Sequence, residues 1–185
     1  MSRRKRTSNS GFSLIEVMVA LVVLTIGLVG TAALMSTTLS STVKSHTMST
    51  AALLASEKLE DLGRFDKGDA PVQPGGSLAA NTAGYYDSVQ ISVDNGQINE
   101  TTTTSGTSTS YVQTPTSGMV VTPNATLPAA TSDTQTYTRR WLITPNTPTA
   151  GVRTVTVLVT AASPLVAAPT GTSPQVTFQM SMVRP

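Results

Sequence analysis

The sequence contains no cysteine and a single histidine, His46. Without cysteine there can be no disulfide bonds, so an exported domain of this chain must be held together by packing alone. The same shortage excludes a Cys/His nucleophile pair and a conventional zinc site. His46 lies in a predicted helix, and we interpret it as a solvated or packed polar residue. The sequence therefore predicts no enzyme activity, no catalytic residue, no metal site and no cofactor.

Charged residues are also scarce and unevenly placed. Asp, Glu, Lys and Arg make up 12% of the 185 residues, and none occurs between Glu16 and Lys44. The net charge of +2 depends on four basic residues at positions 3–6: of twelve basic residues, removing these four leaves eight against ten acids. Beyond residue 11 the side-chain charge is therefore −2. Such a chain has no basic footprint for nucleic acid, and we expect no nucleic-acid partner.

Several acids lie in predicted loops and strands that follow the helix. Asp66 and Asp69, together with Asp87 or Asp94, could supply oxygen ligands for calcium. Acids in loops are usually solvated, and we interpret these four as solvated.

Residues 17–35 form a long apolar run. About twenty helical residues match the ~30 Å hydrocarbon core of a bilayer, so the run predicts a membrane-spanning helix. The basic residues 3–6 should remain on the cytoplasmic side. Glu16 stands at the edge of the run, where an acid costs up to ~3 kcal/mol, and the apolar residues offset that cost. Glu16 is either an acid that reaches the interface or a carboxylate that awaits a cation from another chain.

The segment Gly11-Phe12-Ser13-Leu14-Ile15-Glu16, with basic residues before it and the apolar run after it, resembles the prepilin processing motif. This motif is found in type IV pilins and in the pseudopilins of type II secretion systems. The resemblance implies cleavage after Gly11 by a prepilin peptidase and N-methylation of the new terminus, Phe12. It also implies that Glu16 attracts the N-terminal ammonium of a neighbouring subunit during assembly.

Other interpretations of the N-terminus remain open. An ordinary secretory signal has a shorter apolar core, although Thr31-Ala32-Ala33 could serve as a weak cleavage site. The pair Arg3-Arg4 suggests twin-arginine export, but the residues after it fit that signal poorly. An uncleaved signal anchor would leave Gly11 and Glu16 unexplained.

The predicted helix continues beyond the membrane. Apolar residues recur there at spacings of four and three, which is one stripe of an amphipathic helix, and we expect this stripe to pack against a sheet. Gly63 is a candidate C-cap. Residues 51–60 resemble the end of this helix in PilV-type minor pilins and I-type pseudopilins. The stripe consists of Met48, Ala52, Ala55, Leu59 and Leu62.

The rest of the chain predicts strands. Residues 85–93 alternate like a half-buried strand, and Asp94-Asn95-Gly96 is a hairpin turn signal. Residues 99–133 are rich in Thr and Ser, which favours loops or weak edge strands. Residues 135–144, 152–161 and 175–183 alternate with short connections, which indicates an antiparallel meander. Trp141 is predicted to cover the core. The stretch around residues 137–141 also resembles the distal part of PilV-type minor pilins.

The sequence therefore predicts an α+β, type IV pilin-like fold, in which a long N-terminal helix packs on an antiparallel β-sheet. Residues 1–11 form the leader peptide, 12–35 the transmembrane and filament-core half of the helix, and 36–63 its amphipathic half. Residues 64–185 form the globular β domain, with Thr/Ser-rich loops at about 99–133.

The predicted function is that of a minor pilin of a type IV pilus, first in the bacterial inner membrane and then in the filament, at or near its tip. The partners that the resemblance implies are the prepilin peptidase, the other minor pilins, the major pilin and the pilus assembly platform. An I-type pseudopilin of type II secretion is the alternative within the family. An uncleaved, signal-anchored surface adhesion domain is the alternative outside it.

Overall fold

The computed structural model describes residues 13–92, 96–104, 107–114, 118–123, 126–129, 134–162 and 175–185. Gly11, Phe12 and the hairpin residues 93–95 lie outside these ranges. The chain divides into two compact units, Met1–Thr42 and Val43–Pro185.

One helix, α1, runs from Leu14 to Arg64 and is 51 residues long. This confirms the single long N-terminal helix that the sequence predicts. The prediction that Gly63 caps the helix is wrong, because the helix continues through it to Arg64. Arg184 instead provides hydrogen bonds to the carbonyl groups at the helix end. Its Nη1 donates to the carbonyl oxygens of Leu62 and Phe65, both at 3.0 Å. A distant guanidinium therefore replaces the local glycine cap.

In the described part of the chain, eight strands form one antiparallel sheet. Along the sheet the order is β5-β4-β3-β2-β6-β7-β8, and the short β1 pairs with β6. The strands are β1 (Gly75–Gly76), β2 (Tyr86–Ser92), β3 (Ile98–Thr104), β4 (Thr107–Thr114), β5 (Gly118–Pro123), β6 (Thr134–Pro145), β7 (Arg153–Ala162) and β8 (Gln175–Arg184).

The three C-terminal strands confirm the predicted meander. β6 pairs with β7 and β7 with β8, in antiparallel registers that continue without interruption over ten residue pairs each. One face of β7 is fully buried, in agreement with the predicted alternation of residues 152–161: this face consists of Val155, Val157, Val159 and Ala161. The predicted hairpin also exists, since β2 pairs with β3. Its turn residues 93–95 lie outside the described residues.

The prediction of Thr/Ser-rich loops at about 99–133 needs correction. Residues 98–104, 107–114 and 118–123 are strands that pair in sequence, so the edge-strand alternative was the better one. Two physical reasons account for this. Thr is β-branched and fits an extended backbone. A ladder also satisfies backbone N–H and C=O groups that a long loop would have to leave to water.

The core lies between the second half of α1 and the inner face of the sheet. Trp141 is 1% exposed and donates from Nε1 to the carbonyl of Pro71 at 3.1 Å, so it covers the core as predicted. The predicted stripe of α1 is only partly right, because Met48 is 40% exposed. The buried face is shifted towards the residue that precedes each predicted position, and it consists of Thr47, Ala51, Leu54, Ala55, Lys58, Leu59 and Leu62.

Candidate functional site

Glu16 lies in the first turn of α1 and is exposed. The carbonyl of Ser13 accepts hydrogen bonds from the backbone N–H groups of Glu16, at 2.9 Å, and Val17, at 3.3 Å. This turn has free N–H groups and a partial positive charge, so an acidic side chain is favoured there. The predicted cleavage residues Gly11 and Phe12 lie outside the described residues. The structure therefore places Glu16 at the start of α1 and leaves its relation to Phe12 a prediction.

The first half of α1 presents an apolar surface. Its aliphatic side chains are exposed all round the helix; Leu14, for example, is 78% exposed and Val29 is 71% exposed. Gly27 and Gly30 have open space where a Cβ would stand. The helix is long and apolar enough to cross a membrane. A surface this apolar requires lipid or other helices to cover it.

A buried ionic cluster joins α1 to the sheet, and the sequence reasoning missed it. Asp87 on β2 is completely buried. Its two carboxylate oxygens accept a bidentate pair from Arg139 on β6, with Nε at 2.6 Å and Nη2 at 2.9 Å. Lys58 on α1 approaches the same carboxylate with Nζ at 3.0 Å. The prediction that Asp87 is a solvated acid is therefore wrong, since this carboxylate belongs to the core.

The electrostatics of the cluster shift the pKa values of its two acids in opposite directions. Complete burial would raise the pKa of Asp87, but the charges of Arg139 and Lys58 outweigh it and hold that pKa below its ordinary value. Glu100 on β3 also pairs with Arg139, yet burial dominates there and raises its pKa. Arg139 serves both acids, and its own pKa is raised because two carboxylates stabilise its charge against burial. Asp87 is therefore the firmly ionised partner.

A cavity of ≈ 550 Å³ lies beside the cluster. The ring of Trp141 forms part of its wall, and Lys58 Nζ stands 4.5 Å from the centroid of that ring. Four carboxylates also line it, from Glu57, Glu60, Asp61 and Glu100. Among the described residues, no three His, Cys, Asp or Glu side chains come close enough to hold a metal ion. The cluster therefore holds a helix on a sheet, and this arrangement supplies no nucleophile paired with a base.

The cluster had a signal in the sequence. Asp87 stands two residues before Val89 in a predicted strand, and Arg139 stands two residues before Trp141. Residues two apart in a strand lie on the same face, so both charged side chains lie on the face of an apolar residue that points into the core. Lys58 is four residues from Leu62, on one face of the helix. Three charges at inward positions indicate a buried ion cluster once the elements are known.

Comparison with protein families finds a match at the start of the chain. Residues 6–32 match the family model described as the prokaryotic N-terminal methylation motif. No curated protein and no solved structure matches the chain. The motif supports a prepilin of the type IV pilin and pseudopilin type, and such proteins are generally structural. It implies processing by a prepilin peptidase and assembly with other pilins, and together with the apolar helix it fits anchoring in the inner membrane.

Proposed function

We propose that this chain is a minor pilin of a type IV pilus, placed at or near the filament tip, where it helps to prime assembly. The peptidase cuts between Gly11 and Phe12, and the new Phe12 amine is methylated. The processed helix then leaves the membrane and enters the filament beside the other minor pilins and the major pilin.

The observation that carries this proposal is the combination of an exposed acid and an uncovered apolar helix within the matched motif. Glu16 is exposed in the first turn of α1, ahead of aliphatic side chains that are exposed on every side. In a bundle of such helices, an unpaired carboxylate would be costly, so a cation must come close to it. The Phe12 amine that cleavage creates is a cation at this depth. Pairing with the amine of a neighbouring chain couples docking to axial register.

The first prediction concerns processing. In cells that express a prepilin peptidase, the membrane-extracted chain should begin at N-methylated Phe12, as mass spectrometry of the N-terminal peptide would show. Gly11→Val should block cleavage because it adds bulk at the scissile position, whereas Ser10→Val serves as a neighbouring control. Recovery of residues 1–11 on the wild-type chain, or of a terminus near Ala33, would contradict the proposal.

The second prediction concerns docking. Glu16→Ala should leave insertion and cleavage intact but lower the ratio of filament-associated to membrane-pool protein. Glu60→Ala is the matched control, because Glu60 is an exposed acid on the same helix. Immunoblots of sheared filaments and of membranes measure this ratio. Equal ratios in wild type and Glu16→Ala, with normal piliation, would mean that Glu16 merely reaches the interface.

A deletion strain separates the pilus from the secretion system. A minor pilin is required for normal piliation, whereas a pseudopilin is required for export of type II substrates. We expect loss of piliation with normal export.

A further inference from the structure

The cavity beside the ion cluster belongs to the unit Val43–Pro185, here called the sheet unit. One wall is the part of α1 that carries Glu57 and Asp61, and another is β3, through Ile98, Glu100 and Thr102. Every described residue that lines the cavity lies within this unit. Its volume of ≈ 550 Å³ is within the range of ligand pockets. The cavity is therefore a formed feature of one compact unit, with space for a ligand.

The charges around the cavity do not balance. Its described lining carries four carboxylates and three cations, and Asp87 adds a fifth carboxylate behind two of those cations. With these groups ionised, their net charge is −2, so an anion is disfavoured and a cation is favoured. The lining carboxylates belong to Glu57, Glu60, Asp61 and Glu100, and the lining cations to Lys58, Arg64 and Arg139.

The two buried cations are shared among several acids. Arg139 pairs with Asp87 and Glu100, and its Nη1 stays 4.0 Å from Oε2 of Glu57. Lys58 directs its Nζ to Asp87, at 3.0 Å. Burial raises the pKa of Glu100 in spite of its pairing with Arg139. A further cation beside Glu100 would therefore stabilise its carboxylate.

The chain itself does not bring that cation. Every lysine and arginine after position 12 lies in the described ranges, and five of them do not line the cavity. Four of those five already donate to oxygen atoms of the sheet unit, so a second copy of the chain offers few candidates. These four are Lys67, Arg140, Arg153 and Arg184. The missing cation therefore has to come from a different molecule.

The lining identifies the kind of cation. Among the described residues, no three acidic side chains come close enough to hold a metal ion, so the carboxylates surround the space without converging on one point. Phe65, Pro71 and Ile98 add apolar surface to the lining. Long cationic side chains place an aliphatic stem on such a surface and keep the charged end among polar groups. Lysine and arginine side chains meet both conditions.

Arg139 adds a requirement for an acceptor. Its side chain is 2% exposed and lines the cavity, yet its Nη1 makes no hydrogen bond within the part of the chain that the structure describes. A largely buried N–H group gains from an oxygen acceptor. A free polyamine offers only donors, whereas a basic residue within a polypeptide also brings backbone carbonyl groups. A polypeptide therefore fits the cavity better than a small amine does.

We propose that this cavity binds a lysine or arginine side chain of a partner polypeptide, with the cationic end among Glu57, Asp61 and Glu100. A backbone carbonyl oxygen of the partner accepts from Nη1 of Arg139. The site lies in the sheet unit and needs neither cleavage after Gly11 nor the carboxylate of Glu16. Its failure would therefore leave the proposed assembly function standing, and the reverse also holds.

A labelled peptide tests the proposal. The probe is a five-residue peptide of Gly and Ala with one central lysine, amidated at its C-terminus and labelled with tetramethylrhodamine at its N-terminus. It is titrated against the purified full chain in nonionic detergent micelles, and anisotropy is measured. Saturable binding is expected. The same peptide with norleucine keeps the aliphatic stem but has no ammonium group, and it should bind about tenfold more weakly or worse.

Two neutral variants on different walls locate the site. Glu57→Gln on α1 and Glu100→Gln on β3 each remove one negative charge and should weaken binding by about fivefold or more. Asp66→Asn is the matched control, because Asp66 is an exposed acid of the same unit that does not line the cavity. This control should change the affinity by about twofold at most. The fluorescence of Trp141 confirms that each variant is folded.

A lysine placed inside the cavity provides the second measurement. Thr102 lies two residues from Glu100 on the same face of β3 and lines the cavity. Thr102→Lys should supply the cation from within, so the lysine peptide should no longer bind although the sheet unit remains folded. Unchanged binding to this variant would overturn the proposal.

Other results would overturn it as well. These are absence of saturable binding, equal affinity of the norleucine peptide, and equal effects of Glu100→Gln and Asp66→Asn. Free lysine carries a carboxylate that the acidic cavity repels, so it should compete poorly. Competition by free lysine as strong as that of the unlabelled peptide would assign the cavity to a small ligand. Self-association of the chain that Glu100→Gln abolishes would assign it to a second copy.

Discussion

The two halves of α1 differ in which side chains they expose and which they bury. In the first half, the aliphatic Val29 is 71% exposed, whereas in the second half the charged Lys58 is 7% exposed. The backbone is the same regular helix in both. What differs is the available partner: the sheet offers Lys58 a carboxylate, whereas none of the described residues of the first unit covers Val29. Burial in this chain therefore follows the partner surface more closely than the side-chain type.

The largest expected effect comes from removing the carboxylate of Asp87, which permits the burial of Lys58. Asp87→Ala leaves Arg139 and Lys58 buried without their shared carboxylate, which should lower the free energy of unfolding by about 3–5 kcal/mol. Trp141 is the sole tryptophan and lies in the core, so its fluorescence during denaturation reports on the sheet unit. Asp61→Ala is the control, because the Asp61 side chain is 50% exposed and should cost about 1 kcal/mol or less. Similar losses in the two variants would mean that the cluster contributes little.

A matched pair of leucines compares the two halves directly. Leu62 is completely buried and Leu24 is exposed. Leu62→Ala should lower the free energy of unfolding of the sheet unit by about 2–5 kcal/mol, through lost burial and the cavity left behind. Leu24→Ala should leave it unchanged in detergent micelles. Denaturation curves followed through Trp141 make the comparison, and equal effects would contradict a division of the helix into two environments.

The smallest expected effect concerns the two acids of the cluster. The folded-state pKa of Asp87 is lowered, so its stabilisation is present above the unfolded value of about 3.8 and is lost as the pH falls through the folded pKa. The folded-state pKa of Glu100 is raised, so stability should increase as the pH falls through that pKa towards about 4.5.

Glu100→Gln isolates the second effect. At pH 7 this variant should be as stable as the wild type or slightly more stable, within about 1 kcal/mol, although the wild type shows an ion pair with Arg139. The difference between the two proteins should shrink as the pH falls towards 4.5. Denaturation midpoints between pH 7 and pH 3 measure it. A clear loss of stability at pH 7 would contradict this expectation, because it would show that the ion pair with Arg139 stabilises the fold by more than the burial of the Glu100 carboxylate destabilises it.

Local patterns in the sequence predicted the elements better than their pairing. The alternation around Val155 and Val157 was enough to identify β7 and its inner face. The periodicity of the stripe found Leu59 and Leu62 but placed Met48 in the core. The helix is rotated so that Lys58 reaches Asp87 on β2. The spacing of the apolar residues carries no information about this ion pair.

The ion cluster could not be read from any one segment. Arg139 is 52 residues from Asp87 and 39 residues from Glu100, and only the folded sheet places β3 and β6, which carry Glu100 and Arg139, on either side of β2, which carries Asp87. The β3–β5 edge was hidden for another reason. Thr and Ser dominate these strands and their few apolar residues do not alternate regularly, so their composition does not distinguish a strand from a loop. Only pairing with β2 distinguishes them.

The contact between Arg184 and the carbonyl of Leu62 joins residues 122 positions apart. A chain is synthesised from its N-terminus, so α1 can enter the membrane long before Arg184 exists. Until β8 has formed, the helix end lacks its guanidinium cap, and the apolar row of β7 lacks its neighbour. Such long-range closure makes folding late and slow. A chain in which β8 has not yet formed therefore leaves exposed the end of α1 and one side of β7, and a protease can distinguish it from the complete chain at these two places.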